Sequence, residues 1–80
     1  MKVHVRLFAS YAEAAGRSEV VLELPDGSRV ADALTALRTQ VDASRLPPSP
    51  LVAVNRRYAK GELALADGDE VAFIPPVAGG

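Results

Sequence analysis

Polar and apolar residues alternate from Lys2 to Phe8: Val3, Val5 and Leu7 take one parity, His4 and Arg6 the other. A period of two is the pattern of a strand with one buried face, so this segment predicts one. Ser10 and Glu13 stand at the spacing of a capping box, and Gly16 sits where a left-handed residue closes a short helix. The prediction there is a helix over Ser10 to Ala15. Val20, Leu22 and Leu24 alternate with Val21 and Glu23, and Pro25, Asp26 and Gly27 then supply turn chemistry. That combination predicts a second strand followed by a turn.

From Val30 onward the period changes. Leu34, Leu37 and Val41 recur at helical spacing, with Asp32, Arg38 and Gln40 among the polar positions and Ser28 as the expected cap. Leu46 to Pro50 holds three prolines and is expected to be a loop. Leu51 to Val54 is strand-like, Asn55 suits a tight turn, and a shorter strand is expected near Tyr58. Asp67 and Gly68 give the last turn signal before a strand over Glu70 to Ile74, which Pro75 and Pro76 stop. One substantial helix among five or six short strands favours an α+β fold of the ubiquitin-like β-grasp type over a ferredoxin-like one. In that arrangement the first and last strands lie parallel in the middle of a mixed sheet, and the main helix crosses one face. Residues 1–76 are then the folded domain and 77–80 a flexible Gly-Gly tail.

Composition narrows the function classes. The 80 residues suit a single domain, and 49% hydrophobic content makes a core feasible without disulfides, cysteine being absent. With no thiol and a single histidine, His4, neither a cysteine nucleophile nor an ordinary zinc site is expected. A net charge of −1 argues against a nucleic-acid surface. Lys2, His4 and Arg6 interrupt any apolar run that could act as an export signal, and no stretch suggests a membrane span. A cytoplasmic protein is the expectation.

The most informative segment is Pro75-Pro76-Val77-Ala78-Gly79-Gly80. Two prolines stiffen the exit from the last strand, and the four residues beyond them can reach roughly 14 Å. Glycine lacks a Cβ, so Gly79 and Gly80 can thread a narrow channel and bring the Gly80 carboxylate against a nucleotide phosphate. A frayed terminus is the alternative, but a Gly-Gly pair arises at a given place by chance only ~0.5% of the time.

The run Asp67-Gly68-Asp69-Glu70-Val71-Ala72-Phe73-Ile74-Pro75-Pro76-Val77-Ala78-Gly79-Gly80 resembles the C-terminus of molybdopterin synthase small subunits, the sulfur carriers of molybdenum cofactor synthesis. The opening segment with Leu7, Phe8, Ala9, Glu13 and Gly16 is similar to the same family. The resemblance implies a chain that is not itself an enzyme but a cosubstrate. A partner of the ubiquitin-activating type would use magnesium ATP to adenylate the Gly80 carboxylate. A persulfide donor would then replace AMP with sulfur, leaving a thiocarboxylate. Inserted into the large synthase subunit, that group would pass its sulfur to a cyclic pterin phosphate. The catalytic side chains would be the partners'; this chain would bind no cofactor or metal permanently.

Other residues have plainer expectations. His4 reads as a solvated strand residue. Arg56, Arg57 and Lys60 read as a hairpin tip, and Asp67, Asp69 and Glu70 as turn and strand residues in preference to a cation site. Phe8 shares parity with His4 and Arg6, and Ile74 with Glu70 and Ala72, so both are expected on the face away from the helix. With Tyr58 they would form an apolar docking patch beside the tail exit, through which Pro75, Pro76, Val77 and Ala78 lead into the partner. Three alternatives to the molybdopterin pathway stay open: a thiamine-pathway sulfur carrier, a ubiquitin-like protein modifier, and an adaptor whose tail has no chemistry. Only Lys2 and Lys60 could accept a further copy of a modifier.

Overall fold

The alternating segments become strands and the helical period becomes a helix, in a computed structural model that describes residues 1–41, 46 and 49–76. In chain order the elements are β1 (Lys2–Leu7), α1 (Ser10–Ala15), β2 (Glu19–Glu23), α2 (Val30–Gln40), β3 (Leu51–Val54), β4 (Arg57–Ala59) and β5 (Glu70–Ile74). They build one five-stranded sheet in the order β2-β1-β5-β3-β4. β1 and β5 run parallel, and every other neighbouring pair is antiparallel. This is the mixed sheet expected of a β-grasp, with the last strand at its centre.

One face of the sheet carries the core. Val3, Val5 and Leu7 from β1, Leu22 from β2, Val52 and Val54 from β3, and Val71 and Phe73 from β5 meet Val30, Ala33 and Leu37 of α2. Tyr11, Leu24, Leu46 and Leu65 complete it. Burying a side chain of this size contributes about 1.5–3 kcal/mol. Burial also pushes the Tyr11 phenol above its ordinary pKa, with the Arg38 charge pulling the other way.

Two capping expectations need correction. Ser10 is already the first helical residue of α1; the cap position is Ala9, which offers no side-chain acceptor. Leaving β1 requires a sharp turn at Ala9 (φ 48°, ψ −121°), closed by Tyr11 N–H donating to Phe8 C=O at 3.0 Å. Likewise Ser28 does not cap α2. It is buried, and its carbonyl accepts from Leu65 N–H at 2.8 Å, while the cap is Arg29, whose N–H donates to the Asp32 carboxylate at 2.8 Å. Gly16 does close α1 in the left-handed region, at φ 75°. Two smaller differences follow from register. β1 ends at Leu7, although Phe8 N–H still donates to Phe73 C=O at 3.3 Å, and Val41 leaves the helix as an extended, half-buried residue. Of the proline loop, Pro47 and Pro48 lie outside the described residues; Leu46 within it is buried.

The Ala9 backbone yields a prediction. An L-residue held at positive φ costs on the order of 1–2 kcal/mol, and glycine returns most of this less its own extra entropy in the unfolded chain. Ala9→Gly should therefore raise the melting temperature by about 3–6 °C. Thermal unfolding by circular dichroism measures this, and an unchanged or lower midpoint would show the turn to be unstrained.

Candidate functional site

The other face of the sheet is open to solvent, and strand register decides what lies side by side on it. Leu51 pairs with Ile74, and Leu7 with Phe73, which sets Phe8 beside Ile74. In the next row Arg6, Ala72, Ala53 and Tyr58 follow one another across β1, β5, β3 and β4. His4 and Glu70 form the row after that. Phe8 and Leu51 are each 39% exposed and Tyr58 78%, while Ile74 is half-buried. Phe8, Ile74 and Leu51 thus make an apolar strip at the end of β5 from which Pro75 and Pro76 continue.

The expected pairing of Phe8 with Ile74 is present. Tyr58 shares the face but stands one row away, beyond Ala53. Leu51 belongs to the strip and was missed by sequence reading; the signal was there, because inward Val52 and Val54 force Leu51 outward. Arg6 fixes the strip's border: its guanidinium carbon lies 5.5 Å from the Phe8 ring centroid, and its nitrogen is 3.7 Å from the Glu70 carboxylate. A cation over an exposed ring is worth about 0.5–1 kcal/mol, enough to bias the Phe8 rotamer.

The opposite end of β5 is pinned. Asn55 and Arg56 make the β3–β4 turn with φ of 50° and 71°. The Asn55 side chain donates to Asp69 Oδ1 at 2.9 Å and accepts from Glu70 N–H at 3.0 Å, while Asn55 N–H donates to Glu70 C=O at 2.8 Å. Asp67 accepts from Lys2 N–H at 2.7 Å, and Asp69 Oδ2 from Ala66 N–H at 2.8 Å. These carboxylates are occupied in holding turns, and among the described residues no group of three or more His, Cys, Asp or Glu is placed to hold a metal ion. His4, Arg56, Arg57 and Lys60 are exposed. Val77, Ala78, Gly79 and Gly80 lie outside the described residues. The site is therefore a rigid central strand, anchored at its start, bordered by an apolar strip at its end, and continued in sequence by the Gly-Gly tail.

Comparison with known proteins gives consistent likenesses. A model described as the ThiS family matches residues 5–80. The molybdopterin synthase sulfur carrier subunit of Chlamydomonas reinhardtii is 37% identical over 83 residues, covering 100% of both chains. Small archaeal modifier protein 3 of Haloferax volcanii is 35% identical over 92 residues, again covering 100% of both. The crystal structure of SAMP1 from Haloferax volcanii superposes with a TM-score of 0.84 at 34% identity, covering 100% of both chains.

Proposed function

The chain belongs to the ThiS family, and from that membership we propose that it is the sulfur carrier subunit of a molybdopterin synthase. The observation that carries this reading is its full-length likeness to a subunit of that name, in a match that runs through Gly79 and Gly80. The Gly80 carboxylate is the reacting group. Its oxygen attacks the α-phosphate of magnesium ATP, held by an adenylyltransferase of the ubiquitin-activating type, and pyrophosphate leaves. A carboxylate is a poor electrophile and the resulting mixed anhydride a good one, so the outer sulfur of a donor persulfide can displace AMP to give an acyl disulfide; a second thiol then attacks the donor's sulfur, forms a disulfide with it and releases the thiocarboxylate. In the large synthase subunit the thiocarboxylate sulfur forms a bond to a carbon of the cyclic pterin phosphate as a carbon–oxygen bond of the precursor breaks, and water then cleaves the acyl–sulfur bond of the resulting thioester, restoring the carboxylate and leaving the sulfur on the pterin. Gly79 allows the threading, and Pro75, Pro76, Val77 and Ala78 span from the sheet to the partner's active site. ATP and magnesium serve the activating partner, and the cycle runs in the cytoplasm. No described helix is long and apolar enough to cross a membrane.

Intact mass after incubation with ATP, a persulfide donor and the adenylyltransferase tests the proposal: the chain should gain the mass difference of one sulfur for one oxygen. An unchanged mass would overturn the carrier proposal and leave the modifier and adaptor readings. The likeness to a modifier protein supports one second reading, conjugation of Gly80 to lysines of other proteins. Lysine-linked adducts in place of sulfur delivery to the pterin would favour it. Relatives named for molybdopterin synthase weigh against the thiamine pathway.

The apolar strip positions the tail. A short tail contributes little affinity by itself, so the folded domain must dock first, with Phe8, Ile74 and Leu51 as anchors and Tyr58 at the margin. Phe8→Ala and Ile74→Asp should each weaken binding to the large subunit and the adenylyltransferase by ~30-fold, the scale of one hot-spot side chain. Both variants should stay folded, since this face is solvated in the free domain. Titration calorimetry alongside thermal unfolding separates the outcomes: normal binding by both would remove the strip from the interface.

A further inference from the structure

The ladder between β1 and β2 leaves one set of backbone groups unused. Leu7 N–H donates to Ser18 C=O at 2.8 Å and Leu24 N–H to Met1 C=O at 2.9 Å. Bonded and non-bonded pairs alternate along an antiparallel ladder, so the pairs Val3 with Leu22 and Val5 with Val20 are the bonded ones. Glu19, Val21 and Glu23 therefore aim their N–H and C=O groups away from β1. β2 is the last strand on that side of the sheet, and among the described residues no backbone group hydrogen-bonds to these three from the open side.

The side chains of the same three residues lie on the solvent face, with Val21 54% exposed between two exposed glutamates. Arg6 stands opposite Glu19 in register but turns to Glu70 and Phe8, so Glu19 has no ion pair among the described residues. Glu23 reaches Lys2 only at 4.0 Å, with both side chains 67% exposed. Beside them a shallow groove of about 520 Å³, lined by His4, Arg6, Glu19, Val21 and Glu70, leaves room for a long incoming side chain.

The edge thus reads acidic, apolar, acidic. A second copy is a poor occupant, because a two-fold centred on Val21 would set Glu19 against Glu23 of the other copy at both ends, and like charges directly opposite destabilise a sheet. The complementary occupant carries a basic residue, an apolar residue and a basic residue at alternate positions. We propose that the outer edge of β2 is a docking site for an extended basic segment of a partner protein, which adds to the sheet as a sixth strand. Main-chain bonds to Glu19, Val21 and Glu23 supply affinity, and the two basic side chains facing the glutamates set register and direction. β1 separates this edge from β5 and its tail. A partner held here leaves both the tail and the Phe8 strip free.

The probe is an end-blocked Lys-Thr-Val-Thr-Lys peptide titrated into the isotope-labelled full chain. Amide shifts should centre on Glu19, Val21 and Glu23, and the affinity should fall as salt is raised. Val21→Pro removes an outward N–H that β1 does not use, and Glu19→Lys with Glu23→Lys reverses the charge; each should lower affinity at least ~10-fold. Should Val21→Pro fail to fold, a peptide N-methylated at the residues facing β2 makes the same test on the native chain. Equal binding of the N-methylated peptide, shifts centred on Phe8 and Ile74, or no binding at all would overturn the proposal, the last showing that the glutamates only guard the edge against association.

Discussion

Removing Gly80 alone should abolish the proposed conversion of the chain to a thiocarboxylate while leaving the melting temperature where it was. Deletion withdraws the carboxylate by about 3.5 Å along an extended chain. Reacting groups must meet at about 3–3.5 Å, and a misplacement of 1 Å can cost 10²-fold, so the expected loss is greater than ~10²-fold. One residue added after Gly80 should do the same by replacing the carboxylate with an amide. The fold should not register either change, because the last core residue described is Phe73. Intact mass after activation and a circular dichroism melt of each variant check both halves. Sulfur transfer at the normal rate by the extended chain, its extra residue still attached, would overturn the carrier proposal.

The largest expected loss of stability comes seven residues earlier. Phe73 is 0% exposed in the middle strand, flanked in register by Leu7 and Val52, both buried. Phe73→Ala should cost about 3–5 kcal/mol through lost transfer energy and the cavity left behind. A domain of this length has roughly 4–12 kcal/mol in total, so the melting temperature should fall by about 15–30 °C, and a marginal domain would unfold at room temperature. Urea unfolding of Phe73→Ala beside Ile74→Asp makes the comparison sharp. These are chain neighbours on opposite faces of β5: one variant should lose the fold and the other the partner. Comparable midpoints would mean that the sheet buries both faces.

Why so much of this fold could be read from the sequence is visible in β1. Lys2, His4 and Arg6 cannot be buried unpaired, so Val3, Val5 and Leu7 must face the core, and the same reasoning places Phe8 and Ile74 outside. The Asn55 turn and the bounds of β3 and β5 followed equally from local chemistry. What failed depended on the folded backbone, in most cases on long-range contacts. Ser28 looked like a cap, but a distant carbonyl-to-amide bond with Leu65 draws it into the interior. Ser10 had the right spacing, yet the turn at Ala9 placed it one residue inside the helix. The Asn55 clamp on Asp69 and Glu70 joins residues 14 and 15 positions apart, which no local pattern signals. The free edge of β2 depends on which pairs of the ladder are bonded, and that requires a known register. The candidate site was read in a different way: Gly79 and Gly80, which lie outside the described residues, stood out in the sequence, while the strip at the end of β5 needed the pairing of Leu51 with Ile74 to be complete.

The central place of β5 also fixes when this molecule can fold during synthesis. β1 and β3 are made early, but each has β5 as a neighbour, and β5 is the last strand to be made. Until it emerges, β1 with β2 and β3 with β4 are two separate hairpin-like halves, and Phe73 and Val71 are missing from between them. Pairings of such long sequence separation form late and slowly. A nascent chain cut short of β5 therefore has no sheet to close and exposes its apolar face to proteolysis. The cell then accumulates folded domains only from chains translated at least through β5, six residues short of Gly80, so that nearly the whole chain must be made before any of it is protected.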